Sequence, residues 1–497
     1  MKLLIDYDRS NPISIEAYAK RLMGKTFQQV LDDDSAEDKE NINNRGDLGQ
    51  LIERHHFHYE CNNDSAPDFP EAGVELKVTP YKQNVNGSYS AKERLVLTKI
   101  NYFDVINEPF DDSHLWKKSN LILLIYYLYK KEIKKRFEYE IKYSKLYTPP
   151  KEDLLIIKKD YELIVNKIRA GLAHELSESD TMYLAACTKG AKSTDRTKQP
   201  CSEVEAKPRA FSFKQSYMTY VLNNYIIPGR DTYEPAVTID ELRNQTFEDA
   251  LKSRLSKYVG LLEHDIAKRL GVVINENDKG YEGTLICNML GVKSNRVEEF
   301  VKAGILVKIV KYRMEKNKNQ QFRLEDVRLK EFDDELFDED ILDEFTGEPI
   351  GWEYSELYNI LTNRKYLFAV FWETDRGCVF KGCQLWGMPD KDIEIVRLAW
   401  KKSKKIVREG IKLELVPWGK TFRVNNNLPG MRDNGVFHFR NHASKTYYQF
   451  KDGTIVGDGS VGDSDLLPNE ERMTRQAYWL NRVYLDTQII PELRREY

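Results

Sequence analysis

The strongest constraint on the fold is an internal repeat, because six short segments recur in the same order in the two halves of the 497-residue sequence. Residues 45–53 (RGDLGQLIE) match residues 279–287 (KGYEGTLIC) in a basic residue, two glycines and an apolar pair. Residues 68–79 (DFPEAGVELKVT) match residues 299–310 (EFVKAGILVKIV), with Phe, Ala, Gly and Lys at equal offsets. Ordered self-similarity indicates repeated folding units. The chain is therefore predicted to contain two homologous domains.

The later matches predict the elements of each domain. Apolar runs at residues 121–127 (LILLIYY) and 366–372 (YLFAVFW) are typical of buried strands. Each run leads to a proline-preceded amphipathic helix, at residues 152–170 and 391–409, and each helix stops at a glycine. Strands and helices mixed in this way predict an α/β (mixed α+β) fold with a central sheet.

The joint between the domains is predicted near residues 227–239 (IPGRDTYEPAVTI), where Pro, Gly and Asp interrupt the periodicity. This places the first domain at residues 1–228 and the second at residues 229–497. A chain of this length is too long for one ordinary domain and fits two.

Charge is distributed unevenly, although the net charge is only −3. Basic runs at residues 130–136, 189–198 and 401–405 contrast with an acidic run at residues 331–344. A DNA enzyme needs local positive surface rather than a basic total, so the net charge does not exclude a nucleic-acid partner. Each basic run taken alone is more typical of a solvated helix face.

Cysteine usage and hydropathy indicate where the protein acts. The six cysteines are scattered without a CxxC pair, which suits a reducing compartment better than a disulfide framework. No stretch approaches the roughly 20 apolar residues of a membrane helix, and the first residues do not form a signal peptide. A cytoplasmic protein without a membrane partner is expected.

Asp68, Glu75 and Lys77 form the most informative motif, on a predicted strand at residues 74–78. The period of two puts the apolar residues on one face and Glu75 beside Lys77 on the other, and Asp68 can fold back to the same edge. Two carboxylates suit Mg²⁺, which keeps waters and binds substrate phosphate. A lysine can orient the attacking water or stabilise charge on the phosphate. The motif therefore predicts phosphodiester hydrolysis.

The repeat favours this interpretation over its alternative, a half-exposed strand with a cross-strand Glu–Lys pair. In the second copy Leu306 replaces Glu75 and Cys287 replaces Glu53, while Lys308 and the Ala-Gly frame remain. Loss of catalytic carboxylates from a copy with another task explains this more simply than loss of two folding residues.

Glu53 lies on a predicted helix at residues 47–59 and is assigned a supporting role, as an outer metal ligand or an orienter of Lys77. An ordinary surface glutamate is the alternative. The nearby residues His55, His56, His58 and Cys61 do not have a standard zinc spacing. Phosphate contact or plain helix surface is expected of them instead.

With these motifs in order, the N-terminal half resembles the MutH family, and the whole chain resembles the two-domain Sau-type restriction endonucleases. The matching stretches are residues 45–53, Asp68 with Glu75 and Lys77, and residues 92–97, 149–153, 183–190 and 208–211. The resemblance implies the PD-(D/E)xK nuclease fold and Mg²⁺-dependent cleavage. It also implies a GATC target in double-stranded DNA, cut ahead of its guanine to leave a four-base 5′ extension.

The resemblance also implies roles for single residues. Asp68 and Glu75 become metal ligands, Lys77 the water-orienting group, and Glu53 the fourth member of the active site. Lys118 matches a further lysine near the phosphates, Lys189 falls where the family reads bases, and Arg209 is expected to hold a phosphate. Residues Cys187 and Thr188 depart from the more basic pair of the mismatch-repair member, so its base contacts do not carry over.

The second domain is, by the same resemblance, a DNA-binding effector that binds a second GATC copy and stimulates the first domain. Arg440, Asn441 and His442 lie in a position comparable to Lys189 and are expected to contact DNA; an ordinary polar loop is the alternative. A cognate DNA methyltransferase is implied as a partner in the same system, without direct contact. A mismatch-repair nicking enzyme and a non-catalytic DNA-binding regulator are the competing functions.

Overall fold

The computed structural model describes most of the chain. The described residues are 6–33, 47–59, 66–84, 86–133, 135–190, 194–227, 229, 233–273, 275, 280–293, 296–314, 322–324, 326–331, 352, 355–419 and 421–494. Cys61, most of the predicted acidic run and the proposed domain limit at residue 228 lie outside them.

The first half begins with helices and contains two sheets. Its helices are α1 Pro12–Ala19, α2 Phe27–Asp33, α3 Asp47–Leu51, α4 Tyr102–Val105, α5 His114–Ser119, α6 Lys151–Arg169 and α7 Gln215–Val221. Its strands are β1 Glu75–Gln83, β2 Tyr89–Ala91, β3 Leu95–Lys99, β4 Ile122–Tyr129, β5 Glu140–Tyr147, β6 Leu184–Thr188, β7 Thr197–Gln199, β8 Ser202–Ala206 and β9 Arg209–Phe213. Short π-helices follow α3 and α7, at Ile52–His56 and Leu222–Ile226.

The second half repeats this order and adds a hairpin and a small sheet. Its helices are α8 Ile239–Asn244, α9 Phe247–Ser256, α10 Glu263–Leu270, α11 Tyr281–Met289, α12 Glu298–Ala303, α13 Glu356–Asn363, α14 Asp390–Glu409, α15 Met431–Asn434 and α16 Arg482–Tyr484. Its strands are β10 Ile305–Met314, β11 Phe322–Leu324, β12 Val327–Glu331, β13 Lys365–Thr374, β14 Gly377–Trp386, β15 Leu413–Trp418, β16 Thr421–Asn426, β17 Phe437–Asn441, β18 Tyr448–Gln449, β19 Ile455–Val456, β20 Ser464–Leu466, β21 Arg472–Thr474 and β22 Gln476–Leu480.

The two halves share one sheet topology. The first sheet has the order β2-β1-β4-β5 and the corresponding second-half sheet the order β11-β10-β13-β14. In each, the two central strands are parallel and the outer pairs antiparallel. The three-stranded sheets β3-β9-β6 and β12-β22-β17 also correspond. The α/β fold with two tandem units of one architecture is thereby confirmed.

The register corrects one of the sequence matches by a single residue. Glu75 pairs with Ile122 on the neighbouring strand, and Leu306, the equivalent of Glu75, pairs with Tyr366. Residue 122 therefore corresponds to residue 366, whereas the sequence comparison equated residue 121 with it. Strands β4 and β13 are apolar on both faces, so their composition carries no alternation that could fix the register.

The long helices begin and end alike in both halves. Pro150 and Pro389 occupy the N-cap positions of α6 and α14, and a glycine with positive φ follows each helix. A buried aspartate in each first turn accepts a hydrogen bond from a tyrosine hydroxyl of the closing helix: Asp153 from Tyr217 at 3.0 Å, and Asp392 from Tyr484 at 2.6 Å. The two halves therefore also share a buried hydrogen bond between an aspartate and a tyrosine.

Strand β1 differs from the prediction in length and burial. It continues to Gln83 rather than ending near residue 78. Leu76 packs into one hydrophobic core and Tyr81 into another, so both faces of the strand are covered. The alternative prediction, a half-exposed strand with a polar outer face, is therefore wrong. Glu75 itself is only 2% exposed.

One hydrophobic core crosses from the first half to the second, since it joins residues such as Tyr161 and Phe213 to Phe371 and Phe380. The five cysteines of the described ranges are free thiols. Among the described helices, none is long and apolar enough to cross a membrane.

Candidate active site

A tight turn brings Asp68 back to the start of β1. Gly73 adopts φ +65°, a left-handed conformation that glycine takes without strain, and its equivalent Gly304 has the same φ. An antiparallel bridge between Phe69 and Val74 closes the turn. The backbone N–H of Leu76 then donates to Oδ2 of Asp68 at 2.8 Å. The structure thus places Asp68 beside β1, as the sequence predicted.

Glu75 lies at the centre of the site with two ammonium groups on one of its oxygens. Nζ of Lys77 donates to Oε1 at 2.7 Å, and Nζ of Lys118 lies 3.5 Å from the same atom. The other oxygen, Oε2, is buried and has no hydrogen-bond partner among the described residues. A buried carboxylate oxygen without a partner is costly, so it marks a position where a cation can bind.

The surroundings of Asp68 shift the ionisation of its carboxyl. Burial, together with the negative charges of Glu75 and Glu53, raises its pKa to about 7. The Leu76 N–H and the ammonium of Lys77 act in the opposite direction. Crowded carboxylates with a raised pKa are the electrostatic signature of a functional site.

Glu53 reaches this cluster from the π-helix that follows α3. Its side chain is half-buried, and its charge contributes to raising the pKa of Asp68, so the two carboxylates lie within electrostatic range of each other. The predicted helix at residues 47–59 is confirmed through His56, where the π-helix ends. Lys118 lies on α5 and joins the same cluster through Glu75.

The neighbouring histidines serve the fold. His56 stacks on Tyr18 with ring centroids 4.5 Å apart, and burial lowers its pKa to about 4. His58 adopts φ 53°, and its carbonyl accepts a hydrogen bond from Arg9. Among the described residues there is no group of three or more His, Cys, Asp or Glu side chains that could hold a metal ion. No zinc site is formed by these histidines within that part of the chain.

A cavity of about 410 Å³ lies between the segment that leads to Asp68 and helix α5. It is lined by Ala66, Pro67, His114, Lys117 and Asn120. Pro67 and Lys117 directly precede Asp68 and Lys118 in the chain, but the side chains of the acidic cluster are not among the residues that line the cavity. Lys117 gives the cavity one basic side chain of the kind that attracts a phosphate group.

The residues expected to contact DNA separate into exposed and buried ones. Lys189 directly follows β6 and is exposed, so it is available for DNA. Arg209 is 2% exposed and donates to the carbonyl oxygens of Ala186, at 2.6 Å, and Leu176. This placement argues against the phosphate contact expected of Arg209, because its guanidinium is enclosed in the protein.

The second half retains the frame of the site without its chemistry. Leu306 occupies the position of Glu75, Cys287 that of Glu53, and Thr362 that of Lys118 by strand register. Lys308 corresponds to Lys77, and the equivalent of Asp68, Glu299, is buried and accepts the N–H of Ala236 at 2.9 Å. An acidic cluster like that of the first half is therefore not formed by these residues.

The base-reading positions can also be equated between the halves. Thr188 pairs with Arg209 on β9, and Asn441 pairs with Gln476 on β22. The residues that follow these two strand ends, Lys189 and His442, therefore occupy equivalent positions. Arg440, instead, lies one residue inside the strand end. It is 55% exposed, 3.4 Å from Asp326, and stacks over Trp479.

Comparison with known proteins agrees with this geometry. The family model described as "DNA mismatch repair enzyme MutH" matches residues 57–160, which include Asp68, Glu75, Lys77 and Lys118. The chain is also 32% identical to the type II restriction enzyme Sau3AI of Staphylococcus aureus over 497 residues, covering 95% of this chain and 96% of that enzyme. The chain therefore belongs to the family of type II restriction enzymes that includes Sau3AI, and it is a site-specific deoxyribonuclease.

Proposed function

We propose that the enzyme cuts both strands of double-stranded DNA at GATC, ahead of the guanine, in a Mg²⁺-dependent reaction catalysed by the first half. The observation that carries this proposal is the buried, unpartnered Oε2 of Glu75 next to Asp68 and two lysines. The sequence GATC follows from the resemblance to the Sau-type enzymes. Bacterial cytoplasm is the expected location, since a restriction enzyme meets foreign DNA there.

The donor set fits a magnesium ion. Mg²⁺ prefers oxygen ligands, uses one or two carboxylates, and completes its shell with water and substrate phosphate. Asp68 and Glu75 supply that number of carboxylates, and Glu53 is close enough to act electrostatically on Asp68. When bound, the ion supplies Lewis-acid activation of the scissile phosphate.

The two lysines supply positive charge on the opposite side of Glu75. Lys77 is 22% exposed, so its ammonium can hydrogen-bond to Glu75 and still be reached from solvent. We assign it to orienting the attacking water and stabilising charge on the phosphate. Lys118, at 16% exposure, is assigned to holding the phosphate group. Glu53 is assigned to holding the water network or an outer contact of the ion.

Recognition of the target is assigned to Lys189. An exposed lysine at the end of a strand can reach a base edge in the major groove, and its ammonium suits guanine O6 and N7. The second half is proposed to bind a second GATC copy through the region of Arg440 and His442 and to stimulate the first half. A continuous core across the two halves supplies the packed connection that such coupling requires. The cognate methyltransferase would protect the host target without contacting this enzyme.

Plasmids with no, one or two GATC sites test this proposal, each digested with and without Mg²⁺ and followed by end mapping. We expect cutting ahead of guanine only in the presence of Mg²⁺. We also expect slow cutting of the one-site plasmid, rescued by an added GATC oligonucleotide. Cuts at another sequence would refute the assigned target, nicks in one strand would indicate a mismatch-repair activity, and equal rates on one-site and two-site plasmids would refute the effector role.

The pH dependence of the Mg²⁺ requirement is a further expected result. Asp68 must lose its proton to bind a cation, and its pKa of about 7 means that protons compete with Mg²⁺ below neutrality. A single proton with this pKa raises the half-saturating Mg²⁺ concentration about tenfold between pH 8 and pH 6. Without metal, the same raised pKa makes the folded state bind the proton more tightly than the unfolded chain. The free energy of unfolding should therefore fall as pH rises from about 4 to 7. A half-saturating Mg²⁺ concentration that stays constant from pH 6 to pH 8 would contradict the expected competition between protons and Mg²⁺.

A further inference from the structure

Asp390, the first residue of α14 in the second half, contacts the first half at a specific place. Its carboxylate accepts from Nζ of Lys207 at 2.8 Å and lies 3.5 Å from Nη2 of Arg209. The side chain of Asp390 is 18% exposed, and that of Arg209 is 1% exposed. The contact between the halves therefore includes an ion pair between a buried guanidinium and a partly buried carboxylate.

The two basic residues flank the segment that holds Lys189. The backbone N–H of Lys189 donates to the carbonyl of Pro208 at 2.8 Å, and Pro208 stands between Lys207 and Arg209. Arg209 also pairs with Thr188 across the sheet. The backbone of the proposed base-reading residue is therefore fixed by a segment that is itself fixed by Asp390.

Arg209 also links β9 to β6 through hydrogen bonds of its side chain. Its guanidinium, on β9, donates to the carbonyl of Ala186 in the middle of β6 and to that of Leu176 in the preceding loop. A guanidinium enclosed in this way needs a compensating negative charge. Asp390 is the largest favourable influence on its pKa, ahead of Tyr102 and Glu178. Without Asp390 the arginine would keep its hydrogen bonds to carbonyls but lose its main counter-charge.

The arrangement is not a requirement of the fold. In the second half, which has the same sheet topology, Gln476 occupies the position of Arg209 by strand register. Its neutral amide donates to Asn441 on β17 of the same sheet and to the carbonyl of Thr474 on β21, both of them in the second half. The ion pair is therefore specific to the half that carries the acidic cluster.

We infer that Asp390 is a positioning residue for target recognition, which through Lys207 and Arg209 holds the end of β6 and hence Lys189 in register with the DNA bases. The inference rests on the proposed role of Lys189 and adds a route by which the second half acts on recognition by the first. It predicts that loss of the Asp390 charge weakens discrimination between the target and near-target sites more than it weakens the fold.

The test compares Asp390→Asn with Glu298→Gln in the full chain. Glu298 is a matched control, because it is another second-half carboxylate at the contact between the halves. It is 26% exposed and accepts from the hydroxyl of Tyr220 at 2.8 Å, away from β6 and β9. For each protein, kcat/KM is measured on the target mapped for the wild-type enzyme and on sites with one changed base pair, together with the half-saturating Mg²⁺ concentration and Tm.

We expect Asp390→Asn to lower the ratio of target to near-target kcat/KM by about tenfold or more, since one changed base pair is usually discriminated by about 10-fold to 100-fold. Glu298→Gln should leave the ratio within about twofold, and both should leave the half-saturating Mg²⁺ concentration unchanged. Should Asp390→Asn fail to fold, Asp390→Glu, which keeps the charge and displaces it, is expected to lower the ratio to a smaller extent.

An Asp390 variant that discriminates as well as the wild type, or a Glu298→Gln enzyme that loses discrimination equally, would overturn the inference while leaving the proposed function intact. A wild-type enzyme that cuts without a preferred sequence would refute the proposed recognition, and the inference with it. The sequence preference of the wild-type enzyme therefore distinguishes failure of the proposed recognition from failure of the inference about Asp390.

Discussion

An enzyme carrying Glu75→Gln is expected to cut its target about 10³-fold more slowly while binding DNA with nearly unchanged affinity. Glutamine fills the same buried space, but a neutral amide is a much weaker ligand for a divalent cation than a carboxylate. The lost oxygen is the buried Oε2 that no described residue contacts. The fold should tolerate the change, since a buried carboxylate is itself unfavourable for stability.

The matched control for this variant is Glu140→Gln. Glu140 belongs to β5 of the same sheet, and it pairs with Lys142 two residues further on, just as Glu75 pairs with Lys77. Its side chain is 40% exposed, so it lacks the burial, the second carboxylate and the second lysine that surround Glu75. Cleavage should be unaffected. Rates are measured in single turnover at saturating Mg²⁺, and binding is measured in Ca²⁺. Full cleavage by Glu75→Gln would remove Glu75 from the mechanism.

The acidic cluster was largely predictable because it is local in sequence. Asp68, Glu75 and Lys77 lie within one turn and one strand, and a glycine at position 73 allows the chain to fold back. The burial of Glu75 was not predictable from this stretch. It arises because β1 lies between two hydrophobic cores, one of which is built from helices elsewhere in the chain. The partnership with Lys118 depends on the same three-dimensional packing.

Arg209 shows where inference from sequence alone fails. An arginine beside the predicted base-reading segment is reasonably expected to hold phosphate, since arginine is rarely buried. Its counter-charge, Asp390, lies in the other half of the chain and becomes adjacent only when the halves pack together. The order of the elements was recoverable from the repeat, whereas the contacts between the halves were not, because no periodicity encodes them.

Lys77→Met is expected to lower kcat by about 10²-fold to 10³-fold with little change in KM. Methionine retains the length and apolar stem of lysine, so the strand should keep its packing. The ammonium, 2.7 Å from Oε1 of Glu75, is the group nearest to the buried carboxylate. Removing it takes away the group assigned to the attacking water and to charge that develops on the phosphate. Lys142→Met, in the equivalent pair on β5, serves as the control and should cut normally.

The Mg²⁺ requirement of Lys77→Met separates two possible roles of this lysine. With the ammonium gone, the site has one positive charge fewer and should bind the cation at least as tightly as before. A catalytic lysine therefore predicts a low kcat with an unchanged or lower half-saturating Mg²⁺ concentration. If instead excess Mg²⁺ restored the rate, Lys77 would serve only to hold Glu75 in place as a ligand. Lys308 is retained in the second half where Leu306 replaces Glu75, and on the proposed mechanism we expect a lysine without these carboxylates not to support cleavage. In the proposed mechanism, the ammonium would act in catalysis only when the carboxylates gather the ion beside it.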